Sequence, residues 1–257
     1  MKNRINTTLD SKDNILSIYF TAGYPKLDDT MKVLKQLEQS GADMIEIGVP
    51  FSDPIADGPT IQYSNTVALE NGMSVQLLFD QLKDVRKTVS IPLIMMSSLN
   101  PIIQYGFERF CQKCKGIDVD GLIIPDLPVE EYIREYKGVV ESYGLRNIIL
   151  ITPSSTDARI RLIDEHTDSF IYMVSSAATT GVNQNFSQDF EAFASRLKAM
   201  DLKNPLITGF GIKDKESFDQ VTQFSKGGII GSAFVKAVVE QEDAVQATAD
   251  FMLQFQK

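Results

Sequence analysis

Short apolar runs alternate with amphipathic helical patterns along the whole chain, and this alternation limits the fold more than any other feature. Each run is apolar at nearly every residue, as in strands of a parallel sheet that is covered on both faces. Between the runs, apolar residues recur every three or four positions, as they do on one face of a helix. The eight runs are ILSIYF (15–20), DMIEIG (43–48), PLIMMS (92–97), GLIIPD (121–126), NIILIT (147–152), FIYMVS (170–175), PLITGF (205–210) and GGIIGS (227–232). Eight strand-helix units without a linker predict an α/β fold, a (β/α)₈ TIM barrel, with residues 1–257 as one domain.

Composition and charge narrow the classes of function. A length of 257 residues suits one barrel domain. The formal net charge of −9 argues against a surface that binds nucleic acid, which needs clustered Lys and Arg. The apolar runs are too short to span a membrane, and polar residues follow the basic start of the chain where a signal peptide would be apolar. We therefore expect a cytoplasmic protein that binds neither nucleic acid nor membrane.

The cysteines and the single histidine give no catalytic pattern. Cys111 and Cys114 form a C-x-x-C inside a helical pattern, without a second cysteine pair. We interpret them as partly buried helix thiols rather than as a redox or metal site. His166 lies in a polar run at a predicted helix end, so we place it at the surface and expect no nucleophile system built on histidine.

Glu46 is the most unusual residue in a predicted strand. It stands between Ile45 and Ile47, just before the chain turns at Gly48. Because side chains alternate along a strand, apolar neighbours that face the helices leave Met44 and Glu46 facing the barrel interior. A charge there is unfavourable unless it is paired or its pKa shifts. The residues alone leave two readings of Glu46, a catalytic group at the barrel mouth or an interior ion pair.

The loop FSDPIADGP, which follows this strand, is long for a connection between strand and helix. Long loops at the catalytic end of a barrel are often functional. Asp57 in this loop is therefore a candidate site residue, although for Asp53 and Asp57 taken alone turn formation and helix capping are the better explanation.

Glycines at two late strand ends suggest an anion site. Gly211 follows the seventh predicted strand, and Gly231 with Ser232 precedes a predicted helix from 233 to 239. Barrels commonly bind phosphate at this position through backbone amides and a helix N-terminus. Glycine allows a close approach of the anion, although tight turns also require glycine.

With these residues in view, the sequence resembles the tryptophan synthase α subunit family over essentially its whole length. The resemblance rests on IYFTAGYP, GADMIEIGVPFSDPIADGPTIQ, IIPDLPVEE, SSAATTGV, GFGI and GSAFVK. It implies a (β/α)₈ barrel that cleaves indole-3-glycerol phosphate to indole and glyceraldehyde 3-phosphate by a retro-aldol reaction. It also implies a lyase of L-tryptophan biosynthesis that needs no cofactor of its own.

The resemblance assigns roles to individual residues. Glu46 matches the family's catalytic acid and base, and Asp57 matches the aspartate that stabilises positive charge on the indole N–H. The remaining matches are substrate-binding positions: Tyr19, Met96, Tyr172, Thr180, Gly181, Gly211, Gly231 and Ser232. Thr180 and Gly181 belong to the loop that closes over the site, and the glycines with Ser232 match the phosphate binders. For Tyr19 and Met96, a role in the core remains an open alternative.

The resemblance also implies a partner. The family docks on a β subunit that carries pyridoxal phosphate and receives the indole, in an α₂β₂ heterotetramer. The contact that the family makes lies near the closing loop with Thr180 and Gly181. It also involves the segments with Asp53, Pro54, Asn100 and Pro128. This chain departs from the usual pattern at Ala178, where glycine is usual, and at Ser98, where many members carry tyrosine. From the residues alone, a sugar-phosphate isomerase or epimerase and a non-catalytic binding subunit stay open as alternatives.

Overall fold

The strands form a parallel barrel in which the first strand pairs with the last. The computed structural model describes residues 2–55, 57–174, 186–209 and 211–255. The strands are β1 (Ile15–Thr21), β2 (Met44–Gly48), β3 (Leu93–Met96), β4 (Gly121–Ile123), β5 (Arg146–Ile148), β6 (Leu150–Ile151), β7 (Ile171–Val174), β8 (Leu206–Gly209) and β9 (Gly227–Ile230). Their order is β5-β4-β3-β2-β1-β9-β8-β7-β6, with β1 paired to β9. The predicted TIM barrel is confirmed.

One predicted strand, NIILIT, is divided in two. Its first half, β5, pairs with β4, and its second half, β6, pairs with β7. Ile149 lies between the halves, and its carbonyl accepts a hydrogen bond from the amide of Tyr172 at 3.0 Å. Eight predicted runs thus become nine short strands because this run changes its partner at Ile149.

Helices cover the outside of the barrel. They are α1 (Arg4–Ser11), α2 (Thr30–Gln39), α3 (Pro59–Glu70), α4 (Val75–Leu82), α5 (Leu99–Tyr105), α6 (Phe107–Gly116), α7 (Val129–Glu131), α8 (Lys137–Ser142), α9 (Asp157–His166), α10 (Phe186–Ala199), α11 (Lys215–Val221), α12 (Ser232–Val239) and α13 (Ala244–Leu253). A π-helical turn, Tyr132–Tyr136, joins α7 to α8. None of the described helices is long and apolar enough to cross a membrane.

The two faces of each strand pack into separate apolar clusters. Ile45 and Ile47 belong to the cluster between strands and helices, whereas Met44 belongs to the cluster inside the barrel. The interior cluster comprises Ile5, Leu9, Ile15, Met44, Ile94, Ile123, Ile148, Phe170, Tyr172, Ile207 and Ile229. The predicted alternation along β2 is therefore confirmed, and Glu46 shares the face of Met44.

The first helix closes the N-terminal end of the barrel, a feature that the sequence patterns did not predict. Ile5 and Leu9 of α1 pack among the interior residues. An added Cβ on Gly121 at the start of β4 would lie 2.8 Å from Cδ1 of Ile5. The helix thus touches the strand backbone, and water is kept out of the lower barrel.

Ionic contacts hold α1 in this position. The Asp120 carboxylate, 3% exposed, accepts hydrogen bonds from Arg4 at 3.0 Å, from Arg86 at 2.5 Å and from the amide of Leu93 at 2.9 Å. Arg4 also pairs with Asp118. One buried carboxylate therefore joins α1 to the segments before β3 and β4.

We expect Asp120→Ala to lower the free energy of unfolding by roughly 3 to 5 kcal/mol, because removing one partner of a buried ion pair leaves charges and an amide unpaired. Urea unfolding followed by circular dichroism measures this change. Asp84→Ala is the matched control, since Asp84 and Lys87 form an exposed ion pair that should contribute little. Equal stability of the two variants would contradict the role of Asp120.

Candidate active site

Glu46 lies fully buried on β2 with its side chain inside the barrel. Its Oε1 accepts a hydrogen bond from Oγ of Ser17 at 2.9 Å. Its Oε2 is also buried and has no hydrogen-bond partner among the described residues. The interior ion pair considered from the sequence is not formed by the described residues, because no cation pairs with Glu46 there.

Burial changes the acidity of Glu46. Desolvation raises its pKa from 4.5 to about 7, and the hydrogen bond from Ser17 opposes this rise. A carboxyl with such a pKa exists in both protonation states near neutral pH. It can therefore both donate and accept a proton there.

Asp57 lies on the loop between β2 and α3, directly before Gly58, the N-cap residue of α3. Its amide donates to the carbonyl of Pro54 at 3.0 Å, and Nε2 of Gln62 donates to the carbonyl of Asp57 at 2.9 Å. Desolvation raises the pKa of its side chain from 3.8 to about 6. The carboxylate is thus mostly ionised at pH 7 although it is largely enclosed.

Two buried polar residues of α3 fix this loop against the barrel. Ser64 exchanges a 2.6 Å hydrogen bond with Thr21 at the end of β1. Asn65 accepts from the amide of Phe51 at 3.0 Å and donates to the carbonyl of Ile61. Sequence reasoning missed these supporting residues, although adjacent polar side chains on the inner side of an otherwise apolar helix stripe are a detectable signal.

Two tyrosines flank the carboxylates. Tyr19 is opposite Glu46 in the register of β1 and β2, and Tyr172 points inward from β7. Burial raises the pKa of both phenols, and the charges of Glu46 and Asp57 raise both further. Both rings therefore lie within electrostatic range of both carboxylates, in their neutral, protonated form.

Glycines on the neighbouring strands make room for these rings. An added Cβ on Gly48 would lie 2.3 Å from the hydroxyl of Tyr19, and one on Gly209 would lie 2.0 Å from a ring carbon of Tyr172. Any side chain at these positions would displace the ring. Gly48 and Gly209 are therefore supporting residues that the sequence reasoning did not include.

A cavity of about 580 Å³ opens at the carboxyl ends of β1 to β4; Asp57 lines it, whereas the buried Glu46 is not among its lining residues. Tyr19, Asp57 and the half-buried Met96 line it, together with Ser98. The full lining is Tyr19, Val49, Phe51, Asp53, Pro54, Ile55, Asp57, Asn65, Met96, Ser97, Ser98, Asn100, Pro125 and Asp126. The cavity has the size and mixed polarity of a small-molecule site.

The predicted anion binders lie at the ends of β8 and β9. Gly211 has φ of +80°, a conformation that favours glycine. Gly231 precedes α12, which begins at Ser232, one residue earlier than predicted. A Cβ on Gly231 would lie 3.5 Å from the Tyr19 ring, so this strand end borders the same tyrosine as Glu46.

The remaining residues singled out from the sequence are not part of the described site. Thr180 and Gly181, with Ala178, fall outside the described residues. Cys111 and Cys114 are fully buried rather than partly buried, and burial raises the pKa of both thiols. His166 is the last residue of α9, at the predicted helix end, and is partly exposed. No cluster of metal-ligating side chains occurs in the described part of the chain.

Sequence comparison places these features in one family. The family described as "Tryptophan synthase alpha chain" matches residues 5–257. The tryptophan synthase alpha chain of Flavobacterium johnsoniae is 56% identical over 238 residues, which is 93% of this chain and 94% of that one. The Phocaeicola vulgatus alpha chain is 52% identical over 253 residues, 98% of each chain.

Solved structures agree with the sequence relatives. The Legionella pneumophila tryptophan synthase alpha chain has a TM-score of 0.87 at 35% identity, covering 98% of this chain and 95% of that one. A structure of tryptophan synthase from M. tuberculosis in its aminoacrylate-bound form has a TM-score of 0.86 at 28% identity. The match covers 99% of this chain and 100% of that one.

The raised pKa of Glu46 predicts how pH affects stability. Between pH 4.5 and about 7, the folded protein keeps a proton that the unfolded chain has released. The free energy of unfolding therefore falls as pH rises through this window and is constant above it, a loss of about 3 kcal/mol from this group. Asp57 adds a fall in the same direction between 3.8 and about 6.

Glu46→Gln removes the contribution of Glu46 to the pH dependence of stability and keeps that of Asp57. Relative to the wild type, we expect this variant to gain about 2 to 3 kcal/mol in stability between pH 5 and pH 8, measured by urea unfolding. Glu240→Gln, at the exposed end of α12, controls for the loss of one negative charge. A stability difference that does not change with pH would contradict the burial of an uncharged Glu46.

Proposed function

The chain belongs to the tryptophan synthase alpha chain family, and from this premise we propose how its own residues carry out the family reaction. The protein is a carbon-carbon lyase of L-tryptophan biosynthesis. It cleaves indole-3-glycerol phosphate to indole and glyceraldehyde 3-phosphate. The observation that carries the proposal is Glu46, a buried carboxyl with one unpaired oxygen and a pKa of about 7.

Glu46 is the general acid and base in this proposal. Its protonated form delivers a proton to C3 of the indole ring, and its ionised form takes the proton of the side-chain hydroxyl. The bond between C3 and the side chain then breaks, its electron pair returns to the indole ring, and the hydroxyl carbon becomes the aldehyde. The proton given and the proton taken balance, so the carboxyl ends in its starting form.

Asp57 stabilises the charge that develops on the indole nitrogen. Protonation at C3 makes the ring cationic, and a carboxylate that accepts from the N–H binds this cation more strongly than it binds neutral indole. Such a contact lowers the barrier more than it lowers the energy of the bound substrate. The pKa of about 6 leaves most of Asp57 ionised at pH 7, as this role requires.

The indole ring and the phosphate occupy opposite sides of Tyr19 in this proposal. Tyr19, Met96 and Tyr172 contact the ring, and the first two line the 580 Å³ cavity. The phosphate binds backbone amides at Gly211, Gly231 and Ser232, where the N-terminus of α12 favours an anion. The family resemblance adds Thr180 and Gly181 to the proposed substrate-binding residues, and Ala178 near them stands where the family usually has glycine.

A tryptophan synthase β subunit is the proposed partner, and a similar structure is that of the tryptophan synthase complex from Pyrococcus furiosus. We propose an α₂β₂ heterotetramer in the cytoplasm, with pyridoxal phosphate only in the β subunit. The contact surface would include Asp53, Pro54, Asn100 and Pro128. The first three line the cavity, and the adjacent Ile55 is 91% exposed, which suits an apolar contact that admits indole.

Indole release from indole-3-glycerol phosphate tests the proposal. We expect Glu46→Gln to lose roughly a hundredfold to ten-thousandfold in turnover, because the amide cannot exchange the proton. Circular dichroism and substrate binding should remain as in the wild type. A variant that keeps most of its turnover would remove Glu46 from the chemistry. A wild type that isomerises a sugar phosphate but releases no indole would identify a different barrel enzyme.

Gly231→Ala tests the phosphate site without disturbing the fold. The backbone φ of −115° lies outside the left-handed region, and the three atoms nearest to the added methyl all belong to Tyr19, the nearest at an ordinary contact distance of 3.5 Å. We expect KM for the phosphate substrate to rise at least about tenfold, because the methyl keeps the anion from the amides. The affinity for free indole, measured by calorimetry, should change little.

Gly138→Ala on α8 is the matched control, since an added Cβ there meets no atom within 4 Å. It should leave both ligands unaffected. An equal loss of affinity for indole and for the phosphate substrate in Gly231→Ala would contradict the phosphate assignment.

A further inference from the structure

Ser17 is a fully buried hydroxyl in an apolar strand, and the sequence reasoning assigned it no role. It lies on β1 between Leu16 and Ile18. In the register of β1 and β2, Ser17 is opposite Met44, whereas Tyr19 is opposite Glu46. Ser17 is therefore one inward-facing layer deeper in the barrel than Glu46, and its hydroxyl reaches the carboxyl from the closed side.

We propose that Ser17 is a positioning residue that holds Oε1 of Glu46 and thereby makes Oε2 the atom that exchanges protons with the substrate. The proposal rests on the proposed function of Glu46. The 2.9 Å hydrogen bond from Ser17 occupies Oε1, and Oε2 is buried and has no partner among the described residues. The carboxyl is thus fixed at one oxygen only.

The same hydrogen bond serves both protonation states of Glu46. When the carboxyl is ionised, the Ser17 hydroxyl donates to a charged oxygen, which is the stronger kind of hydrogen bond. When the carboxyl is protonated, the hydroxyl can still donate to Oε1 as a carbonyl oxygen, provided that the proton is on Oε2. Ser17 therefore selects which oxygen carries the proton and leaves the carboxyl in one orientation through the catalytic cycle.

The other described groups around Glu46 form no hydrogen bond that would fix its carboxyl in this way. Tyr19 faces it from β1, Tyr172 from β7 and Asp57 from the loop after β2, and the negative charge of Glu46 raises the pKa of both phenols. The hydrogen bond from Ser17 is the one described contact that lowers the pKa of Glu46 against the effect of burial. Without it, burial alone would act, and the ionised form would be less populated at neutral pH.

The placement is also difficult to explain as packing. Burying a hydroxyl in an apolar interior is unfavourable unless it forms a hydrogen bond. Alanine would fill nearly the same volume between Leu16 and Ile18 without this cost. The hydroxyl therefore gains its favourable contribution from Glu46.

Ser17→Ala and Ser17→Thr, assayed as complexes with the β subunit, test the proposal. We expect Ser17→Ala to lower kcat at pH 7 by roughly tenfold, since a hydrogen bond to a charged group is lost. KM should change by less than about twofold, because substrate contacts are unchanged. The limb of the pH profile that Glu46 sets should move to higher pH, because the ionised carboxyl has lost its donor. Ser17→Thr keeps the hydroxyl and should restore the wild-type profile.

Thr208→Val is the matched control, because Thr208 is a fully buried strand hydroxyl on β8 that donates to Ser225 at 2.9 Å. It should lower the melting temperature without moving the pH profile. A wild-type pH profile in Ser17→Ala, or a fall in kcat that is equal at every pH, would overturn the proposal.

Infrared titration of the Glu46 carboxyl, with Glu46→Gln as the reference, distinguishes the role of Ser17 from the proposed function. An upward pKa shift in Ser17→Ala supports the hold by Ser17 even where no indole is released. Absence of glyceraldehyde 3-phosphate formation by the wild-type complex would refute the proposed function instead, and an unmoved carboxyl titration would refute the role of Ser17.

Discussion

The burial of one carboxyl inside an apolar barrel is the constraint on which the rest of the site depends. The interior cluster surrounds Glu46 with aliphatic and aromatic side chains, and α1 keeps water out from below. This environment raises the pKa of Glu46 to about 7, which a solvated glutamate does not reach. The acid-base capacity is therefore a property of the closed barrel, and the position of the residue on a rigid strand keeps it in register with Tyr19.

The barrel backbone also shapes the space around that carboxyl. The Tyr19 ring lies against Gly48 and the Tyr172 ring against Gly209. The neighbouring strand must therefore have glycine at each of these two positions. The rings thus come close to the sheet, and the Tyr19 ring also lines the cavity that Asp57 borders. Ser64 and Asn65 then tie the Asp57 loop to the same end of the barrel. Sheet register and one helix together bring two carboxylates from different segments into one site.

The sequence predicted the parts of this structure that arise from local patterns. The apolar runs identified every strand region, and alternation along β2 predicted the inward direction of Glu46. The role of α1 was not predictable, because its short apolar stripe acquires a partner only when the barrel closes. Ser17 was missed for a similar reason, since its importance depends on a cross-strand contact with Glu46. The division of NIILIT depends on a change of neighbouring strand at Ile149, which no local pattern records.

The two ends of the barrel differ in how fully their buried carboxylates are hydrogen-bonded. At the lower end, Asp120 is surrounded by donors from Arg4, Arg86 and Leu93, so its charge is compensated and the end stays closed. At the upper end, Glu46 receives one donor from the described residues, so its ionised form is poorly compensated there and lowers stability as pH rises. A second donor would stabilise the fold, but it would also depress the pKa and occupy the oxygen that exchanges protons. Incomplete hydrogen bonding of Glu46 is therefore the condition under which this carboxyl can act as acid and base.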